Sequence, residues 1–176
     1  MARLTGITTG TPGRLLLGAG KLSVGGTDVG ATTGDATFEI EKDIYFPQLN
    51  GALGNVASTG FVTRLVGRLK VTVAEHKMAL IAAAVPGLYW SSSTSSETTL
   101  ASSVGCIAAS EYKAVVWTGQ DCEGDTTTIT LTSAIMVDNL SITFSDTKEA
   151  QHDLVFETVY SLSDPDACPF SIVIVL

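Results

Sequence analysis

Charge is scarce in this chain: Asp, Glu, Lys and Arg make up only 16% of its 176 residues, against roughly a quarter in an average globular domain. A basic excess is missing as well. Eighteen acids face ten bases, for a formal net charge of −8. This argues against a protein built to grip nucleic acid, which needs a basic stripe, and suits a surface that repels polyanions. Aromatic residues amount to 7%, which speaks against the aromatic groove of a carbohydrate binder, although Trp90, Trp117 and the tyrosines could serve one. No apolar run approaches the length of a bilayer span, since the longest covers residues 78–85. The first residues lack the apolar stretch of a secretory signal, so synthesis and assembly in a cytoplasm are expected.

Catalytic arrangements are absent in the same way. His76 and His152 are the only histidines, and one chain with two distant histidines builds no zinc cluster. His76 reads as a solvated helix residue. There is no Gly-x-Ser-x-Gly elbow to select one of the many serines as a nucleophile. Gly18-Ala-Gly20 lacks the helix of a dinucleotide fingerprint, and no phosphate-loop Gly-Lys-Ser/Thr occurs. Asp121, Glu123 and Asp125 have calcium-like spacing without the twelve-residue loop and its terminal Glu, so a polar hairpin turn is the better reading. Asn139-Leu-Ser141 matches a glycosylation sequon, which carries no weight without a secretory signal. Cys106, Cys122 and Cys168 are odd in number and far apart, which reads as free thiols, with a Cys106 to Cys122 bridge as the alternative. No enzyme, cofactor or metal is expected.

What is present is β-structure. Residues 1–14 form a Thr/Gly-rich arm with Pro12, too poor in periodic apolar residues to pack alone. Residues 15–176 read as one β-domain of a size that supports a single core. Short strands are expected at 15–17, 21–24 and 27–29, cut by Gly18 and Gly20, with Gly25-Gly26 as a hairpin turn. From Gly34, Ala36, Phe38 and Ile40 alternate with Asp35, Thr37, Glu39 and Glu41, the period of a strand with one apolar and one acidic face. Residues 43–60, with Pro47 and three glycines, read as a long loop, and a loop of that length in a compact domain usually binds something. Residues 61–73 form a second strand with Leu65, Leu69, Val71 and Val73 on one side and Arg64, Arg68 and Lys70 on the other.

One helix follows over 75–85. Thr72 and Glu75 are spaced as a capping box, Met78, Ile81, Ala82 and Val85 give the apolar stripe, and Pro86-Gly87 ends it. A Ser/Thr-rich loop is expected over 88–103, densest at 91–103. Strands resume at 111–118, 126–132, 140–144, 153–162 and 170–176. The expected fold is mainly β, a sandwich or barrel with one flanking α-helix. Its Thr-rich strands lack the edge lysines and prolines that discourage sheet pairing, and an apolar chain with a neutral exterior points to a surface covered by a partner, most simply another copy.

The segment Gly18-Ala-Gly20-Lys-Leu-Ser-Val24-Gly-Gly-Thr-Asp-Val29-Gly30-Ala-Thr-Thr-Gly34-Asp-Ala-Thr-Phe38-Glu-Ile40 resembles the N-terminal signature of the major tail tube proteins of long, flexible-tailed bacteriophages. The later layout agrees: a long loop, a basic strand, a helix, then Phe144-Ser-Asp and Asp153-Leu-Val-Phe-Glu-Thr-Val-Tyr160. The wording matches over 18–40, the layout over most of the chain, and 91–122 matches nothing.

The resemblance implies a β-sandwich that forms hexameric rings, stacked into a tube through which DNA passes without specific binding. It implies the virion as location, and the tail terminator, tape measure and distal tail proteins as partners beside the chain itself. Asp43, Tyr45, Phe46, Pro47, Leu49, Asn50, Leu53 and Asn55 would then belong to an inter-ring contact loop. Arg3, Leu4, Ile7, Pro12 and Arg14 would belong to an inter-subunit arm. Asp35, Glu39 and Glu41 would line the bore and repel DNA, or else pair with Arg64, Arg68 and Lys70 on a neighbouring strand. A type VI or contractile tube protein, a tail terminator, a head-decoration protein and, in a different class, a carbohydrate-binding β-sandwich are the alternatives.

Overall fold

In the computed structural model, the structure describes residues 16–75, 78–92, 97–101, 105–121, 125–143 and 151–175. Eleven strands are defined among them: β1 (Leu16–Val24), β2 (Thr27–Asp28), β3 (Thr32–Tyr45), β4 (Phe61–Val73), β5 (Leu88–Ser92), β6 (Glu97–Ala101), β7 (Lys113–Asp121), β8 (Thr126–Met136), β9 (Ile142–Thr143), β10 (Gln151–Thr158) and β11 (Phe170–Ile174). One short helix, α1 (Met78–Ala84), lies between β4 and β5. The fold is mainly β, as expected.

Nine strands make one antiparallel sheet in the order β2-β1-β7-β8-β10-β4-β3, with β11 also on β8 and β9 also on β10. The sheet curls into a half-barrel. Its two ends approach each other: the Thr32 hydroxyl on β3 donates to the Gly20 carbonyl on β1 at 2.8 Å. The concave face holds the core, where Leu22, Val24, Leu69, Val71, Val73, Val115, Trp117, Leu131, Leu154 and Phe156 are all buried. Alternation explains the choice of face. On β10, His152, Leu154, Phe156 and Thr158 turn inward while Gln151 and Asp153 face solvent.

Two sets of glycines shape this core. Gly20 and Gly119 lie opposite each other in register across β1 and β7, and a Cβ on either would collide with the Trp117 indole. The ring therefore lies across a bare stretch of backbone, an aromatic covering cross-strand glycines. Gly67 on β4 does the same for Phe38 and Phe170, whose rings meet edge to face at 5.5 Å.

Several local expectations are corrected. Gly18 and Gly20 do not interrupt β1, which runs through both with a register shift between Leu16 and Gly20; the close approach of Trp117, not a chain break, is what Gly20 serves. Gly25 and Gly26 do make the hairpin turn, with φ of 58° and 81°. Thr72 caps no helix: it belongs to β4, and its hydroxyl donates to Asp153 Oδ1 at 2.6 Å. Glu75 instead accepts from the Ala31 N–H at 3.1 Å.

The helix is held by its buried Ile81, Ala82 and Ala84 and by Lys113 Nζ, which donates to the Ala83 carbonyl at 2.8 Å. A cation at the helix C-terminus also complements the dipole. Gly87, at φ 77°, ends the segment as expected. The Ser/Thr-rich loop contains a hairpin, because β5 and β6 pair from Leu88↔Ala101 to Ser92↔Glu97. The β-branched threonines that read as loop in the sequence supply one of its strands. No helix among the described residues is long and apolar enough to cross a membrane.

Candidate assembly surface

β3 and β4 outrun the sheet that they close. The last pairing of β4 with β10 is Glu157↔Arg68, yet β3 and β4 go on pairing through Ile40↔Gly67, Lys42↔Leu65 and Asp43↔Arg64 to Tyr45↔Phe61. From Gly67 outward these two strands have, among the described residues, no strand neighbour but each other. Val66 is still buried and Leu65 half-buried, and the four β4 residues beyond them, Phe61–Arg64, are all exposed, a projection of about 13 Å at the usual rise per residue. A two-stranded ribbon is marginally stable alone in water.

Its side chains make the point more sharply. Ile44 and Val62 sit opposite each other and are 46% and 60% exposed; the next pair, Tyr45 and Phe61, is 58% and 62% exposed. Successive residues of a strand point to opposite faces, so both faces of the ribbon carry uncovered apolar groups. Ile40, expected inside, is 48% exposed because β3 has already left the core. Asp43 and Tyr45, expected in the loop, are strand residues.

The tip, residues 46–60, contains no charged side chain. It is shaped by its own turns: the Ala52 N–H donates to the Leu49 carbonyl at 3.1 Å, and Thr59 donates through N–H and hydroxyl to the Val56 carbonyl. Phe46 packs on Gly60 at its base. Leu49, Asn50, Leu53 and Asn55 face solvent, and Leu53 is fully exposed at 110%. Pro47 is half-buried. The arm residues Arg3, Leu4, Ile7, Pro12 and Arg14 lie outside the described residues, as do His76 and Cys122.

The convex face at the ribbon's foot is charged, and of mixed sign. Arg64 reaches Glu41 at 3.1 Å and Glu157 at 3.8 Å; Arg68 reaches Glu157 at 2.9 Å and Glu41 at 3.5 Å. Lys70 meets Asp153 at 2.9 Å. Strand order explains the mixing, since acidic β3 and basic β4 are neighbours. The hydrogen bond to Glu157, with the nearby Glu41 charge, raises the Arg68 pKa, and the bond to Asp153 raises that of Lys70. Asp153 is held below its ordinary value, first by the Thr72 hydroxyl and then by Lys70. These pairs are solvent-exposed and screened, so they contribute little to stability.

Of the three acidic residues singled out in the sequence, Glu41 therefore takes part in ion pairs, while Asp35 and Glu39 are exposed and form none among the described residues. Glu39 borders a hollow of about 270 Å³ with Arg68, Lys70 and Asp138. Cys106 and Cys168 are exposed free thiols. Sequence reasoning missed Ile44, Phe61 and Val62, although a signal was there: adjacent apolar residues at both parities of a strand belong either to a doubly covered strand or to a surface awaiting cover.

No protein-family model and no curated protein matches the chain. A solved structure, the cryo-EM structure of the tube-terminating cap of an anti-feeding prophage, is similar to it at 10% identity and a TM-score of 0.49, over 99% of this chain and 95% of that one.

Proposed function

We propose that this protein is a structural subunit of a phage tail that polymerises with copies of itself into stacked rings, forming a tube that conducts DNA. The observation that carries the reading is the β3–β4 ribbon, apolar on both faces and tipped by an uncharged loop. Bare apolar surface on a projecting element costs free energy in a monomer and is recovered only by a partner. Assembly supplies one wherever the chain is concentrated.

The resemblance of residues 18–40 to tail tube proteins gives the assembly its kind: ring, tube and DNA conduit. Hexameric symmetry and the terminator, tape measure and distal tail partners come from that resemblance alone. The net charge of −8 suits a wall that DNA slides past. No catalytic role belongs to the proposal, and none of its steps needs a cofactor.

The test is negative-stain electron microscopy across a concentration series, beside a variant carrying Ile44→Asp and Val62→Asp. The expected result is rings or tubes with a central hole for the natural chain and dispersed monomers for the variant. Monomers of both at every concentration would refute polymerisation; closed single rings that never stack would favour a terminator.

A further inference from the structure

We propose that Asn50 is a self-modification site: the Gly51 backbone nitrogen attacks its side-chain amide, ammonia is released, and a mixture of aspartate and isoaspartate is left at the ribbon's tip. The reaction needs water and no second copy, so it stands apart from the assembly reading.

Three asparagines occur in the chain, and asparagine is among the chemically labile residues. All three are exposed, so access does not distinguish them. Their successors do: Gly51 follows Asn50, Val56 follows Asn55 and Leu140 follows Asn139. The nucleophile is the backbone nitrogen of the following residue, and a side chain on that residue hinders ring closure. Glycine has none. Val56 branches at Cβ, close to the nitrogen that has to attack.

The fold leaves the pair free to react. Asn50 and Gly51 are the central residues of a turn closed by the Ala52 N–H bond to the Leu49 carbonyl at 3.1 Å. Gly51 has φ 90°, as the third residue of a type II turn requires. A Cβ at Gly51 would meet nothing within 4 Å, so no neighbouring group shields this nitrogen. Neither the Asn50 amide nor the Gly51 N–H has a hydrogen-bond partner among the described residues. Rotation about the Asn50 Cα–C bond, which brings Cγ onto the nitrogen, therefore disturbs one exposed turn and none of the β3–β4 ladder.

The Gly51 nitrogen bonds to Asn50 Cγ and gives up its proton, and Nδ2 departs with it as ammonia, leaving a cyclic imide. Water then opens the imide at either carbonyl. Opening at Cγ's side restores the main chain with aspartate; opening at the backbone carbonyl leaves isoaspartate, whose main chain runs through the side-chain carbon. Either carboxylate is ionised at neutral pH. It is the first charge within residues 46–60 and adds one more to a net −8.

Trypsin releases residues 43–64 as one peptide, because Lys42 and Arg64 flank it and no basic residue lies between them. The folded natural chain is incubated in mildly alkaline buffer at body temperature, then denatured, digested and followed by mass spectrometry. The peptide should lose one amide with time, at Asn50, in both aspartate and isoaspartate forms, while Asn55 in the same peptide and Asn139 keep theirs. Gly51→Ala should retain the Asn50 amide over the same period. Loss at Asn50 no faster than at Asn55, or as fast in Gly51→Ala as in the natural chain, would overturn the proposal. So would a product holding aspartate alone, which is direct hydrolysis and leaves Gly51 without a role.

Discussion

β4 is two strands in one. From Leu69 to Val73, where β10 and β3 flank it, its inward side chains are buried in the core, whereas Phe61 and Val62, of the same apolar chemistry, stand open to water. The difference is the neighbour and not the residue type. Beside β10, and just past it at Val66, the chain buries its own apolar groups; from Arg64 to Phe61 it does not. The half-barrel is therefore a self-sufficient element and the ribbon an incomplete one, and a ribbon of that composition implies a surface supplied by another molecule.

The largest expected effect lies on the body side of this comparison. Phe156→Ala, which empties the centre of the core, should lower unfolding free energy by about 3–5 kcal/mol, read by urea denaturation. Next, Gly67→Val should wedge Phe38 and Phe170 apart and cost about 1–3 kcal/mol by the same measure. On the ribbon side, Val62→Asp should change monomer stability by no more than about 0.5 kcal/mol while preventing assembly, read by sedimentation velocity. Equal losses of stability at Phe156 and Val62 would erase the distinction between the two regions.

The smallest effect is that of pH on the ion pairs at the ribbon's foot. Asp153 is depressed below its ordinary 3.8 by Thr72 and Lys70, so its contribution is present above that value and is lost as pH falls through the lower folded-state pKa. Lys70 and Arg68 are raised above their ordinary values, so theirs persists throughout the neutral and mildly alkaline range and is lost only as pH rises beyond it. Between these limits the pairs hold. Asp153→Asn should flatten the acid limb of a stability-against-pH curve by less than about 1 kcal/mol. An unchanged limb would assign that loss to other carboxylates.

The period-two alternation of Ala36 and Phe38, and of Leu69, Val71 and Val73, was enough to place β3 and β4, because one face of each enters the core. Gly25-Gly26 and Pro86-Gly87 marked real turns, since φ above zero there favours glycine. What was illegible depended on contacts distant in sequence. Gly20 reads as a strand breaker until Trp117 is laid over it. Thr72 reads as a cap until Asp153 takes its proton donor. Pairing of the acidic face with the basic one was one of two readings open from the sequence, and strand order, with β3 beside β4, brings it about at Glu41.

Of the assembly surface, the tip loop was visible as a long segment without charge, although its strand begins three residues later than expected to yield to loop, after Tyr45.

Hydrogen–deuterium exchange of the natural chain at rising concentration tests the division between ribbon and body most directly, with Ile44, Tyr45, Phe61 and Val62 followed against Val71 and Leu154. The account predicts that the ribbon amides gain protection as concentration rises while the body amides stay fixed. Ribbon exchange that does not respond to concentration, in a sample that has become an assembly, would show that copies meet elsewhere and contradict it.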